Sequence, residues 1–265
     1  MRGLGIAHAL IILILSGPAT WAADDPAEIE RTWQAGLVFL PGEPEPVKLS
    51  ALDVAAEAAL GERRPAIVYL HGCDGLSIVT ALTGRFLASV GYVVVMPDGF
   101  ARLEKPKSCD VATSTGGLHR AVLGWRHAEA ANAIRRTRAL PFVQPDGIVL
   151  MGLSEGGVTT ATFTGEPVRA RIIEGWTCHA GWPEYQGLAA PAGEPVLALL
   201  GADDPWFTLP VLKGDCGSFM TPENGSRSIV YKAPHLLAPY HYLTWHVEPL
   251  SEIADFLHRV LATNR

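Results

Sequence analysis

Short runs of consecutive apolar residues recur along the chain, each of a length that suits one buried strand. They lie at residues 65–70, 92–98, 147–151, 169–176, 195–200 and 227–232. Segments with helical spacing of apolar residues alternate with them and predict helices over 79–90, 119–140 and 247–261. An earlier run at 35–40 predicts an edge strand, and 47–60 fits either a strand with a helical turn or one alanine-rich helix. The alternation predicts an α/β fold with a mostly parallel central sheet and helices on both faces.

The first 22 residues have the pattern of a secretory signal peptide. Arg2 provides a positive charge, residues 10–15 are entirely apolar, and Thr20-Trp21-Ala22 places small residues where a signal peptidase reads them. An uncleaved anchor helix is the alternative, but the apolar stretch is short for a membrane span. We therefore expect cleavage after Ala22, a single domain over 23–265, a periplasmic or secreted protein, and no stable membrane association after cleavage.

The composition supports one sizeable core and gives no sign of an anionic partner. The chain has 265 residues, of which 48% are hydrophobic and 18% charged, and its net charge is −6. A chain of this size is long enough for a single α/β domain. The negative net charge gives no reason to expect nucleic acid or an anionic membrane as a partner.

The four cysteines are expected to form disulfides because an exported protein folds in an oxidising compartment. Four cysteines allow three pairings, and the sequence does not decide among them. We predict Cys73–Cys109 and Cys178–Cys216, since each bond would join loops on the same side of the sheet. The sequence contains no Cys-x-x-Cys pair of the kind that binds zinc. We expect neither a metal nor an organic cofactor.

The segment Gly152-Leu153-Ser154-Glu155-Gly156 carries the main candidate nucleophile. An apolar strand precedes it and a segment able to form a helix follows, so Ser154 would lie on a sharp strand-to-helix turn. Glycines two residues before and after the serine remove side chains that would clash in such a turn. The pattern predicts a serine whose hydroxyl is exposed above the edge of the sheet.

A candidate oxyanion loop, His71-Gly72-Cys73, directly follows the strand at 65–70. Glycine there lets the backbone approach a substrate, so that the next amide can point at a carbonyl oxygen. We predict the backbone N–H groups of Cys73 and Glu155 as the two oxyanion donors.

Candidate acids and bases follow the later strands. Asp203 and Asp204 come after the strand at 195–200, and either could orient a histidine. The loop after the last strand holds His235, which we take as the base, with His241 as the reserve candidate. Three tryptophans near the strand ends are candidates for pocket walls, with core packing as the alternative: Trp176, Trp182 and Trp206.

The chain order Ser154, Asp204, His235 resembles that of the α/β-hydrolase superfamily. Within this superfamily, the chain resembles the dienelactone hydrolase family. The resemblance spans nearly the whole mature chain and rests on these segments: Tyr69-Leu70-His71-Gly72-Cys73, Tyr92-Val93-Val94-Val95-Met96-Pro97-Asp98, Gly152-Leu153-Ser154-Glu155-Gly156-Gly157, Gly201-Ala202-Asp203-Asp204-Pro205 and Tyr231-Lys232-Ala233-Pro234-His235. The family commonly has glycine, two residues and then aspartate at the acid position, which implies Asp204 rather than Asp203. Typical members are cytoplasmic, have a cysteine nucleophile and carry Gly-His-Gly at the base; here the residues are Ser154 and Pro234-His235-Leu236.

The resemblance implies a serine hydrolase that cleaves small carboxylic esters through a Ser-His-Asp triad and an acyl-enzyme. Two alternatives share the fold and the triad order: a prolyl-oligopeptidase-type peptidase and an acyltransferase. A third alternative, a hydrolase-fold binding protein without activity, belongs to a different functional class. The sequence does not indicate an oligomeric state.

Overall fold

The structure is a computed structural model that describes residues 23, 25–54, 57 and 61–262. The predicted signal peptide, 1–22, lies outside these residues. The described strands are β1 (Leu37–Phe39), β2 (Val47–Lys48), β3 (Arg64–Leu70), β4 (Val93–Met96), β5 (Cys109–Asp110), β6 (Thr115–Gly116), β7 (Val143–Leu153), β8 (Ala170–Glu174), β9 (Val196–Gly201) and β10 (Arg227–Tyr231). The described α-helices are α1 (Pro26–Ala35), α2 (Ile78–Ser89), α3 (Val122–Arg138), α4 (Glu155–Thr162) and α5 (Val247–Ala262).

Eight strands form one mostly parallel sheet in the order β10-β9-β8-β7-β3-β4-β1-β2. The six strands from β10 to β4 run parallel, whereas β1 pairs antiparallel with both β4 and β2. The predicted α/β fold is confirmed. The predicted edge strand β1 is in fact flanked on both sides, because the short β2 covers it.

Helices pack on both faces of the sheet, as predicted. On one face, Leu87 of α2 and Phe256 of α5 lie in the same core cluster as strand residues such as Ile67. On the other face, Trp33 of α1 and Ile134 of α3 share a cluster with β3, β4 and β7. No helix among the residues described is long and apolar enough to cross a bilayer.

Helix α1 and the hairpin formed by β5 and β6 were not predicted from the sequence. The helix begins at a clear cap, since the Asp25 carboxylate accepts hydrogen bonds from the amides of Ala27 (2.8 Å) and Glu28 (3.3 Å), and Pro26 occupies the first helical position. The hairpin lies between β4 and α3.

Both predicted disulfides are present. Cys73 bonds to Cys109 and Cys178 bonds to Cys216. All four residues lie in loops or short elements beyond the carboxyl ends of the parallel strands. Both bonds therefore cross-link connecting segments at that edge of the sheet.

Backbone segments approach each other very closely where β7 turns into α4. A Cβ atom at Gly156 would lie 2.1 Å from the backbone oxygen of Leu70, and one at Gly152 would lie 2.0 Å from the backbone oxygen of Gly156. Neither distance is possible for real atoms, so both positions require glycine. Ser154 between them adopts φ 56°, an uncommon conformation for a residue with a side chain.

Gly156→Ala is expected to lower the free energy of unfolding by at least about 3 kcal/mol, because the added methyl group meets backbone that cannot move aside. Gly124→Ala is the matched control, since that glycine is exposed on α3 and its added Cβ has no contact closer than 3.8 Å. The control is expected to stabilise the protein by up to about 1 kcal/mol through helix propensity. Urea unfolding of the two variants measures the difference, and equal effects would contradict the packing argument.

A buried glutamate at the end of β8 ties two distant parts of the chain together. The backbone oxygen of Glu174 accepts the Ser154 amide at 2.8 Å. Its carboxylate accepts the Thr244 amide at 2.8 Å and the Thr244 hydroxyl at 3.1 Å. Burial raises the pKa of Glu174 to about 7, although the hydrogen bonds from Thr244 and the proximity of His241 act in the opposite direction.

The raised pKa makes folding stability fall as the pH increases between about 4.5 and 7, because the unfolded chain releases this proton first. A shift of this size corresponds to about 3 kcal/mol. Glu174→Gln keeps an amide oxygen for Thr244 but cannot titrate. The stability of this variant relative to the wild type is therefore expected to increase by about 3 kcal/mol from pH 4.5 to pH 8. Urea unfolding at both pH values measures it, and Glu223→Gln, at an exposed position, is the control that should show no such change.

Candidate active site

Ser154 lies on the tight turn between β7 and α4, at the carboxyl edge of the sheet. Its amide donates to Glu174 and its carbonyl accepts the amide of Val158 at 2.9 Å, which begins α4. The turn is therefore fixed by the end of β8 on one side and by the new helix on the other. The strand-to-helix turn that the sequence predicted is confirmed.

The loop after β3 lies directly beside this serine. A Cβ atom at Gly72 would be 3.4 Å from the Cβ of Ser154, so the two backbones approach closely. The amide of Gly75 donates to the Gly72 carbonyl at 3.2 Å, which folds the loop back on itself. Cys73 and Glu155, the two residues predicted to supply oxyanion donors, both line the cavity that holds Ser154.

Asp204 is buried and its carboxylate holds a histidine. One oxygen accepts the Trp206 amide at 3.0 Å, and the other lies 2.7 Å from Nδ1 of His241. The neutral imidazole then carries its proton on Nδ1 and leaves Nε2 as an acceptor. That Nε2 atom is buried without a hydrogen-bond partner in the protein, and His241 lines the same cavity as Ser154. Asp203 points its side chain to solvent.

The prediction that His235 partners Asp204 is wrong. Nε2 of His235 lies 3.2 Å from the Glu248 carboxylate of α5, and Nδ1 accepts the Leu237 amide at 3.1 Å. The ring packs on Tyr231 and is partly exposed. The chain turns immediately after β10, since the His235 amide donates to the Lys232 carbonyl, and it needs six more residues to reach Asp204.

The residues around His241, the reserve candidate, are typical of a buried position, since the aromatic Tyr240 and Tyr242 flank it. In the structure, the ring of Trp206 stacks on His241 with a centroid distance of 5.1 Å, and Gly175 leaves room for its edge. The imidazole is thus held by packing as well as by Asp204.

A cavity of about 480 Å³ opens beside these residues. All three tryptophans proposed as pocket walls line it: Trp176, Trp182 and Trp206. Contact between these rings and a substrate stays a prediction. Within the part of the chain that is described, no group of histidine, cysteine and acidic side chains is arranged to hold a metal ion.

A buried charged network, which was not predicted from the sequence, supports the loop beside Ser154. Arg126 of α3 donates to the His71 carbonyl at 2.8 Å and contacts Nε2 of His71 at 2.9 Å. Glu129 lies 3.2 Å from Arg126 and 2.6 Å from Arg102, so it balances both guanidinium groups. Burial and the nearby Arg126 charge hold the pKa of His71 well below its usual range. His71 is therefore neutral and positions the loop.

Glu155, immediately after the serine, faces the cavity from the side of this network. Burial raises the pKa of its carboxyl, whereas the Arg126 charge and a hydrogen bond from Ser108 lower it. Among the described residues that line the cavity, Glu155 is the only one with an acidic side chain.

Comparison with known proteins gives a family match over the body of the chain. The family model for the dienelactone hydrolase family matches residues 51–214. No curated protein matches the sequence.

Several solved structures share the fold at low sequence identity. The chain is similar to a dienelactone hydrolase-like promiscuous phosphotriesterase, P91, from metagenomic libraries, with 20% identity, a TM-score of 0.52, and coverage of 75% of this chain and 87% of that one. It is also similar to Est2, an esterase from Thermogutta terrifontis, bound to propionate (16% identity, TM-score 0.50, coverage of 85% and 89%). A structure of the same esterase phosphonylated by sarin gives 17% identity, a TM-score of 0.50 and the same coverage.

The match covers more than half of the sequence, and it agrees with the parallel sheet and with the serine at the turn after β7. The chain belongs to the dienelactone hydrolase family of the α/β-hydrolase superfamily.

Proposed function

We propose that the protein hydrolyses carboxylic esters with Ser154 as nucleophile, His241 as base and Asp204 as the acid that orients the histidine. The observation that carries the proposal is the 2.7 Å contact between Asp204 and Nδ1 of His241. It leaves the Nε2 atom of a buried imidazole unpaired on the wall of the cavity that also contains Ser154.

The reaction follows from this arrangement. The Ser154 oxygen attacks the ester carbonyl while Nε2 of His241 accepts the hydroxyl proton, and Asp204 stabilises the imidazolium that forms. The tetrahedral intermediate collapses when His241 gives that proton to the departing alkoxide, which leaves an acyl-enzyme. Water then attacks the acyl group with His241 again as base, the acid is released, and the Ser154 hydroxyl is restored.

The negative oxygen of both tetrahedral intermediates is assigned to the amides of Cys73 and Glu155. Each follows a constrained backbone position: Cys73 follows Gly72, which lies against Ser154, and Glu155 follows Ser154 itself at the first residue of α4. Rigid amides of this kind stabilise the transition state because they need no reorganisation during the reaction.

An oxidising compartment is the proposed site of action, either the periplasm or the extracellular space. Two disulfides and no unpaired cysteine among the described residues support this assignment. Both residues of the Cys73–Cys109 bond line the cavity that holds Ser154, so a reducing compartment would change the site itself.

The triad is tested with 4-nitrophenyl acetate. Ser154→Ala and His241→Ala are each expected to lower kcat/KM by about 10⁴-fold or more, because triad members act as a unit. His235→Ala, which removes a histidine held by Glu248 on the protein surface, is the matched control and should stay within about threefold of the wild type. A large loss in the His235 variant, with His241→Ala still active, would overturn the assignment.

Covalent labelling separates an enzyme from a catalytically inactive binding protein. A fluorophosphonate probe is expected to label Ser154 in the wild type, and labelling should be lost in both Ser154→Ala and His241→Ala. A folded wild-type protein that is not labelled and has no esterase activity would favour the binding protein.

The two disulfides provide a matched pair of variants for the oxyanion assignment. They close loops of similar length, with sequence separations of 36 and 38. Removing either bond is therefore expected to cost a similar amount of stability, about 4 kcal/mol. Only Cys73 carries a proposed oxyanion donor, so Cys73→Ala/Cys109→Ala should lose at least about tenfold more kcat than Cys178→Ala/Cys216→Ala.

The comparison is made on 4-nitrophenyl acetate at a temperature where circular dichroism shows both double variants folded. Equal losses of kcat would show that the Cys73 loop has no special part in the reaction.

A further inference from the structure

The wall of the catalytic cavity has no positive charge. None of the described residues that line it is a lysine or an arginine, and the one acidic side chain on it is Glu155. A carboxylate entering this cavity would therefore give up water without meeting a cation.

Two arginines outside the lining already have carboxylate partners. Arg126 lies behind the wall, where it contacts Glu129, Nε2 of His71 and the His71 carbonyl. Arg120 lies outside the lining, 3.1 Å from Glu184 and with its guanidinium 5.2 Å from the centre of the Trp182 ring. Neither belongs to the described residues that line the cavity.

Besides hydroxyl side chains such as Ser108, Thr115 and Thr208, the rest of the cavity surface is largely aromatic and aliphatic. Trp176 and Phe207 meet edge to face with a centroid distance of 5.8 Å, and Trp206 lies flat on the catalytic imidazole. Tyr185 meets Trp182 edge to face at 5.5 Å. Flat rings packed in this way offer broad apolar surfaces to a substrate ring.

The mouth of the cavity is also lined by apolar side chains, and these are exposed to solvent. Three side chains that line it are large, apolar and well exposed: Trp182 (38%), Leu209 (60%) and Val211 (50%). An apolar ester would thus meet a matching surface before it reaches Ser154.

We propose that the site selects uncharged esters with an aromatic or bulky apolar group and rejects esters that carry a carboxylate. This inference rests on the proposed function, because it assigns the substrate class of the same cavity. Since no lysine or arginine is among the described residues that line the cavity, a carboxylate on the substrate would lack a cation to stabilise it there.

Three 4-nitrophenyl esters with the same leaving group test the proposal: the acetate, the 4-methylbenzoate and the 4-carboxybenzoate. The two benzoates have nearly the same size and differ in charge, and their rates of hydroxide hydrolysis correct for reactivity. We expect kcat/KM for the methylbenzoate to exceed that for the carboxybenzoate by about 100-fold. A corrected ratio below tenfold, or turnover of the acetate with none of the methylbenzoate, would overturn the substrate class.

The acetate keeps this test separate from the function itself. Hydrolysis of the acetate that is lost in Ser154→Ala supports the proposed function whatever the ratio of the two benzoates. Absence of acetate and benzoate hydrolysis would overturn both proposals together.

A cation placed on the rim should relax the selection. Val211→Arg puts a guanidinium at an exposed lining position, and Val211→Gln is a polar control without charge. The arginine variant is expected to lower the methylbenzoate-to-carboxybenzoate ratio at least about fivefold, with the effect shrinking as salt rises from 0.05 to 0.5 M. The glutamine variant should keep the wild-type ratio. Equal ratios in both variants would show that charge does not cause the discrimination, and this too would overturn the proposal.

Discussion

The close approach of Gly156 to the end of β3 is the constraint on which the site depends. The missing side chain lets α4 begin directly against the Leu70 carbonyl, and this contact places Ser154 at positive φ beside the loop of Gly72 and Cys73. Ser154 and the two proposed oxyanion donors are therefore neighbours because α4 and the end of β3 meet without side chains between them. The geometry is a property of the backbone, and the side chains only complete it.

Much of the fold could be predicted because its strands are buried on both faces and read as continuous apolar runs. The run at 147–151 is an example: the whole central strand β7 is longer, but its apolar core marks it unambiguously. Helix α1 was missed since its buried residues are few and include Glu28 and Thr32, so its apolar pattern is weak although its cap is clear. The hairpin of β5 and β6 has two residues per strand and leaves no periodic signal.

The site was predictable where it follows the order of the strands and unpredictable where it depends on loop paths. Ser154 and Asp204 lie immediately after their strands, so topology alone places them at one edge of the sheet. The histidine comes from a loop of irregular path, and chain position suggested His235 while the structure brings His241 to Asp204. The contact between Arg126 and His71 spans 55 residues. Nothing local in the sequence marks such a pair.

The two disulfides have a consequence for how the molecule opens. Neither bond crosses the sheet or joins two helices, and both join loops at the edge where the parallel strands end. The central strands already have the highest barrier to exposure, because their hydrogen bonds are surrounded by core on both faces. The covalent bonds therefore reinforce the part of the domain that would otherwise undergo local unfolding first. Amide hydrogens of the cavity loops should then exchange almost as slowly as those of the strands below them, so that the cavity walls and the sheet act as one cooperative unit.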